Sequence, residues 1–165
     1  MKNAAFYKTQ LQLKPHPEGG YYKETYRSIG NIPPEALKGF NGSRSYSTAI
    51  YYLLERADHS AFHRIKSDEC WHYYAGDTLL IHVFNNDGNY NCIKLGAGPD
   101  KQEVFQFVVP ANTWFAAECA KYSSFVLTGC TVSPGFDFND FEMADKQVLL
   151  KEYPSQQGLI SRLCR

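Results

Sequence analysis

The side chains best suited to chemistry fall in residues 60–76, Ser-Ala-Phe-His-Arg-Ile-Lys-Ser-Asp-Glu-Cys-Trp-His-Tyr-Tyr-Ala-Gly. His63 precedes Glu69 by six positions, and six residues separate Glu69 from Gly76. With 61–65 and 69–75 as two β segments around a polar turn at Lys66-Ser67-Asp68, one face carries both His63 and Glu69. Alternation then puts Trp71 and Tyr73 on the Glu69 face and His72 and Tyr74 opposite. An imidazole in apolar surroundings beside a carboxylate is a general base whose charged form the carboxylate stabilises, and a tyrosine can donate a proton from the other side. His63, Glu69 and Tyr73 are therefore the candidate catalytic residues. The competing reading of the same pair is an internal hydrogen-bonded contact with no catalytic duty.

Around these, Trp71, Trp114 and Phe115 are candidates to stack on a flat or sugar-like ligand, core packing being the alternative for each. Glu118 shares a face with Trp114 and Ala116 by alternation and is a second candidate pocket carboxylate. Glu24 can reach the same space from an early strand. The alternative for both is a surface charge.

The elements that must position these groups are mostly strands. A short helix is expected within residues 3–13, ending before Pro15. Pro15-His16-Pro17-Glu18-Gly19-Gly20 follows as a turn that holds the N-terminus in place, without the context of a phosphate-binding loop. Tyr21–Arg27 reads as a strand with Tyr22, Glu24 and Tyr26 on one face. Residues 28–44, rich in Gly and Pro, read as a loop with one helical turn at Glu35–Lys38, a candidate lid or interface. Strands are expected at Ser45–Leu54, Thr78–Phe84, Tyr90–Leu95, Val104–Val109, Trp114–Cys119 and Phe125–Val132. The Asp-Gly signal within 85–89 marks a hairpin. A short helix around Val148–Tyr153 and one further turn near the C-terminus complete the expectation. Many short strands with Gly/Asn/Pro turns between them favour a closed antiparallel barrel or a double-sheet jelly roll.

Composition sets the bounds. A chain of 165 residues supports about one domain with a real core, expected to span 1–165. Aromatics reach 15%, which suits strands and permits a ligand cavity. Seventeen basic and seventeen acidic residues balance, which argues against a nucleic-acid partner. No run approaches membrane-spanning length, and no signal-peptide core is present, so neither a membrane partner nor secretion is expected. The five cysteines form no C-x-x-C pair, against a disulfide framework or zinc knuckle and in favour of a reducing cytoplasm.

The residues also resemble a known family. His63, Glu69 and Gly76 are similar to the first cupin motif, G-x5-H-x-H-x3,4-E-x6-G, and Pro110–Phe115 is similar to the second, P-x-G-x2-H. More specifically, the chain resembles the cupin family catalogued as DUF985 ("cupin 5") in five segments: His16–Tyr22, Glu24–Ser28, Trp71–Gly76, Trp114–Glu118 and Gly129–Phe136. The resemblance implies an all-β fold, a double-stranded β-helix (jelly-roll, cupin) barrel with short N- and C-terminal helical segments, and a homodimer, but no established reaction. It also implies where a metal would sit. The second histidine position is Ile65 and that of the second motif is Phe115, neither of which ligates. His63 and Glu69 alone would hold a divalent metal only weakly, so no cofactor is expected. The logic of a metal-free histidine base resembles that of the dTDP-4-keto-6-deoxyhexose 3,5-epimerases of the same superfamily, although Phe62, Arg64 and Ile65 do not reproduce their signature. The expected function is binding of a small polar molecule in the barrel, with metal-independent isomerisation or epimerisation of a carbohydrate-like or keto substrate by His63. The alternatives are a non-catalytic binding or sensory module and a residual metal-dependent oxygenase.

Overall fold

The computed structural model describes residues 2–85 and 88–165. Helix α1, Ala4–Gln10, starts where the Asn3 side chain accepts the Phe6 N–H, a local N-cap. Strands β1 (Lys14–Pro15) and β2 (Tyr21–Arg27) flank the Pro/Gly turn. Across 28–44 the chain is less featureless than expected. β3 (Asn31–Ile32) pairs with β4 (Arg44–Ser45), and one short 3-10 turn covers Pro34–Ala36. Then follow β5 (Thr48–Glu55), β6 (His59–Ile65), β7 (Asp68–Gly76), β8 (Leu79–Phe84), β9 (Tyr90–Leu95), β10 (Gln106–Val109), β11 (Trp114–Cys119) and β12 (Phe125–Ser133). The hairpin turn expected within 85–89 falls on residues 86 and 87, outside the described residues. A strand not foreseen, β13 (Phe141–Met143), adds to β6, and α2 (Lys146–Glu152) and α3 (Gln157–Leu163) end the chain.

Two antiparallel sheets face each other, in the orders β1-β2-β5-β12-β7-β10 and β13-β6-β11-β8-β9. This is the expected jelly roll. Alternation sends one set of side chains between the sheets, where Tyr52, Leu54, Trp71, Ile81, Val83 and Phe115 form the main core. The outer face of the five-stranded sheet is covered by α2 and α3, which bury Phe62, Phe84, Trp114 and Ala116 against Leu149, Tyr153, Ile160 and Leu163. Helix α1 covers one end of the other sheet at Leu53, Phe125 and Leu127.

A bulge corrects the expected pattern of β2. Glu24 pairs with Ile50 and Tyr26 with Ala49, so Thr25 is the extra residue. Such an insertion reverses the alternation beyond it. Arg27, not Tyr26, therefore shares the inward face with Tyr22 and Glu24, and Tyr26 is exposed.

Candidate active site

The inward rows of the six-stranded sheet can be read from its register. Arg27, Thr48, Val132 and Glu69 stand side by side across four strands, and Glu24, Ile50, Cys130 and Trp71 form the next row. The opposite sheet contributes His63 and Ile65 from β6. Between them lies a cavity of about 410 Å³ that opens beside Phe136, Phe138 and Phe141. The segment carrying these aromatics is fixed by a buried bidentate pair, with Arg44 Nε and Nη2 donating to Asp140 at 2.6 and 2.8 Å. None of residues 28–44 lines this cavity, so the lid expected there is not at its mouth.

The wall contains a group that sequence reasoning did not place. The turn Pro15–Gly20 is clamped between β5 and β6. Tyr52 donates to the Gly19 carbonyl at 2.7 Å, Asp58 accepts the Gly20 N–H at 2.6 Å, and Ala61 N–H donates to the Glu18 carbonyl at 3.0 Å. A side chain on Gly19 would overlap the His59 carbonyl oxygen, and the backbone there has φ +119°, so glycine is required for the turn to lie this close. The clamp delivers Glu18 and His16 into the cavity.

Glu18, not Glu69, is the partner that meets His63. Its Oε2 lies 3.2 Å from His63 Nε2, and its Oε1 accepts from Ser60 Oγ at 2.8 Å. His63 is buried, and its Nδ1 lies 2.7 Å from the Ala61 carbonyl oxygen. A carbonyl only accepts, so Nδ1 carries a hydrogen. Nε2 then faces a carboxylate, and the contact is attractive only with one proton between them, on either atom. His63 and Glu18 form a proton-sharing pair. His16 does not join it as a cation. Its Nδ1 accepts the Glu18 N–H at 3.3 Å, and burial holds the imidazole below its ordinary value, outweighing the pull of Glu18.

Glu69 lines the same cavity. Burial, reinforced by the charge of Glu18, pushes its carboxyl up to about 8 against a small opposing effect of a Cys130 hydrogen bond. It is therefore a neutral acid at neutral pH. Glu24 also lines the cavity, but both of its oxygens are taken up by Arg27, whose Nη2 and Nε donate to them at 2.7 and 3.0 Å.

The remaining expected site residues are elsewhere. Tyr73 lies four residues along β7 from Glu69, roughly 13 Å away, and donates to the Gly76 carbonyl at 2.6 Å at the far end of the barrel. Trp71 is in the core between Tyr52 and Phe115. Phe115 is also fully buried, its ring centroid 4.1 Å from that of His63, where it supports the imidazole without lining the cavity. Trp114 and Glu118 do share a face, as alternation required, but it is the outer one: Trp114 packs under α2 and α3, and Glu118 meets His82 and Arg162.

A metal is what the fold family would imply in such a barrel. The residues present do not fit one. Ile65 and Phe115 fill ligand positions, His63 Nε2 is engaged by Glu18, and among the described residues no three His, Cys, Asp or Glu side chains are grouped to hold an ion.

A jelly roll with a polar cluster at one end of its barrel is the architecture of the cupins. Residues 7–144 match the model of the family described as Cupin superfamily (DUF985), and the chain belongs to it. A hypothetical protein from Leishmania major has a solved structure with TM-score 0.90 and 34% identity, covering 98% of both chains. A structure from Shewanella oneidensis reaches TM-score 0.89 and 36% identity over 100% of this chain and 99% of its own. An uncharacterised protein of Saccharomyces cerevisiae is 33% identical over 78% of this chain and 69% of its own length. At 13% identity and TM-score 0.55, oxalate decarboxylase from Bacillus subtilis shares the fold alone, over 90% of this chain and 36% of its own. No helix among the described residues is long and apolar enough to cross a membrane.

Proposed function

We propose that the protein binds a small, polar, carbonyl-bearing molecule in this cavity and moves a proton on it, as a metal-independent isomerase or epimerase of a keto or carbohydrate-like substrate. The observation that carries the reading is the His63–Glu18 contact, with Nδ1 fixed by the Ala61 carbonyl. Once the shared proton has left the pair to solvent, the Nε2 lone pair takes hydrogen from the carbon next to the carbonyl, and the Glu18 carboxylate stabilises the imidazolium that results. Glu69, neutral up to about pH 8, donates a hydrogen bond to the oxygen that becomes negative. Return of the proton to the carbon completes the exchange. Phe136, Phe138 and Tyr22 supply apolar wall at the mouth.

The test is solvent deuterium incorporation into a panel of keto sugars and keto acids, comparing wild type with His63→Ala. Incorporation into at least one compound, lost in the variant, is expected. Absence of any His63-dependent exchange overturns the reading. A non-catalytic binding module is the second reading, favoured by the fact that both His63 nitrogens are already engaged within the protein. Compounds that raise the melting temperature without exchanging would support it. The proposal includes a reducing, cytoplasmic setting and a homodimer. The aromatic outer face of the six-stranded sheet beyond α1, with Tyr26, Tyr74 and Val108 exposed, supports the dimer, and light scattering tests it.

A further inference from the structure

A second set of titratable groups lies outside the barrel and plays no part in the cavity. On β9, the edge strand of its sheet, Cys92 stands directly across from His82 of β8. His82 is buried, with Nε2 3.1 Å from Glu118 Oε1 and Nδ1 2.9 Å from the Tyr90 hydroxyl oxygen. Arg162 of α3 pairs with the other oxygen of Glu118. This arrangement suits an imidazolium: Nε2–H donates to Glu118 and Nδ1–H to the Tyr90 oxygen, leaving the phenol O–H free to turn towards Cys92, two residues along the same face of β9. Cys92 itself is exposed.

We propose that Cys92 is a reactive thiolate on the outer wall of the barrel, a modification site for hydroperoxides, activated by the His82–Tyr90–Glu118 network. The other cysteines provide the contrast. Burial pushes Cys70 and Cys164 up, Cys119 up to about 12, and Cys130 well above the ordinary value. Cys92 is shifted the other way, because the His82 it faces across the strands favours the thiolate more than burial opposes it and Tyr90 adds to this, against the opposing charge of Glu118. Burial pulls His82 down, but the facing Cys92 and the bond to Glu118 hold it above its usual range. Reactive cysteines require this combination of exposure and a nearby positive charge.

In the reaction the thiolate lone pair attacks the O–H oxygen of the hydroperoxide and the O–O bond breaks. The sulfur, now carrying that OH, is oxidised to sulfenic acid, and the other oxygen leaves reduced, as hydroxide from hydrogen peroxide or as an alkoxide that takes a proton from solvent to become the alcohol. No resolving thiol is required for this step.

Peroxide treatment of the full chain, followed by dimedone trapping and peptide mapping, tests the proposal together with the pH profile of iodoacetamide alkylation. Cys92 is expected to label at least about tenfold faster than Cys70 or Cys164, with an alkylation midpoint below the ordinary thiol value of about 8.5. His82→Gln is expected to slow Cys92 about tenfold and raise its midpoint, and Tyr90→Phe to do so less. Labelling of Cys92 no faster than Cys70, a midpoint at the ordinary value, or a His82→Gln profile that superimposes on wild type overturns it. The wild-type profile decides alone should His82→Gln fail to fold.

Discussion

The five-stranded sheet carries a histidine–carboxylate pair on each side, His63–Glu18 facing the cavity and His82–Glu118 under the C-terminal helix. The contacts are nearly the same, 3.2 and 3.1 Å, and both imidazoles are buried. What differs is the next neighbour. Outside, Arg162 sits on Glu118. Burial pushes that carboxyl up, but His82 and Arg162 together bring it below its ordinary value. Inside, the neighbours of Glu18 are His16, which burial holds below its ordinary value, and another carboxyl, Glu69, which stays protonated because burial and the charge of Glu18 oppose its ionisation. The outer cluster has its anion compensated. The inner one couples a shared proton to a neutral acid, and it is on this difference that the proposed proton exchange rests.

The strongest way to break this contrast is to remove the partner of His63. Glu18→Gln keeps the side-chain volume and the Ser60 contact but cannot stabilise an imidazolium. Deuterium exchange is expected to fall by about 10²–10⁴-fold, the range for loss of general acid–base assistance. Wild-type exchange rates in a variant with a wild-type circular dichroism spectrum would show that the pair is inert.

Glu69→Gln sharpens the contrast through stability. The folded state holds the Glu69 proton more tightly than the unfolded state, so the sign is opposite to that of a salt-bridged carboxylate. Below the ordinary value of 4.5 both states are protonated and nothing is lost. Between 4.5 and about 8 the unfolded state ionises while the folded state does not, and stability falls as pH rises. Above about 8 the whole penalty is present, on the order of a few kcal/mol for such a shift. The glutamine variant is expected to gain on wild type in urea denaturation at pH 8.5 and much less at pH 5. An equal gap at both pH values would remove the buried acid from the account. A smaller effect is expected for Tyr73→Phe, which loses the bond to the Gly76 carbonyl, about 1 kcal/mol of stability with exchange unchanged. Altered exchange would return Tyr73 to the site.

The jelly roll was legible because β-branched and aromatic runs between Gly/Asn/Pro turns leave few other solutions, and the family motifs agree with them. His63 and Glu69 were legible as residues of one cavity by spacing. Trp114 and Glu118 show where that reasoning stops. Alternation states which residues share a face of a strand, but which face is inside depends on what packs there, and α2 and α3 claim the outer one. Arg27 was lost to a one-residue bulge that no local signal announces. Glu18 was missed because its contact with His63 spans 45 positions and depends on a turn clamped between two later strands. The signal available was chemical: an acid and a histidine beside two glycines that let the backbone approach closely, a costly arrangement for a turn that only tethers the N-terminus.

The finest test asks whether the two sides of the sheet are independent. Helix α3 is held by Ile160 and Leu163, both essentially inaccessible to solvent, whereas the side chain of Arg162 is 54% exposed. An ion pair with one exposed partner is screened by solvent, so Arg162→Ala should cost less than about 1 kcal/mol. The depressed carboxyl of Glu118 gives that contribution its sign: present above the ordinary carboxylate range, and lost as pH falls through its folded value. Melting temperatures of the variant and wild type should therefore differ slightly at pH 7 and converge towards pH 3. Exchange in the cavity should not change, because Phe115, Ile81 and Val83 fill the space between the sheets and no hydrogen-bond chain among the described residues links Arg162 to Glu18. A matching loss of exchange in Arg162→Ala would mean that the outer pair sets the position of the inner one, and the two regions would have to be treated as one device.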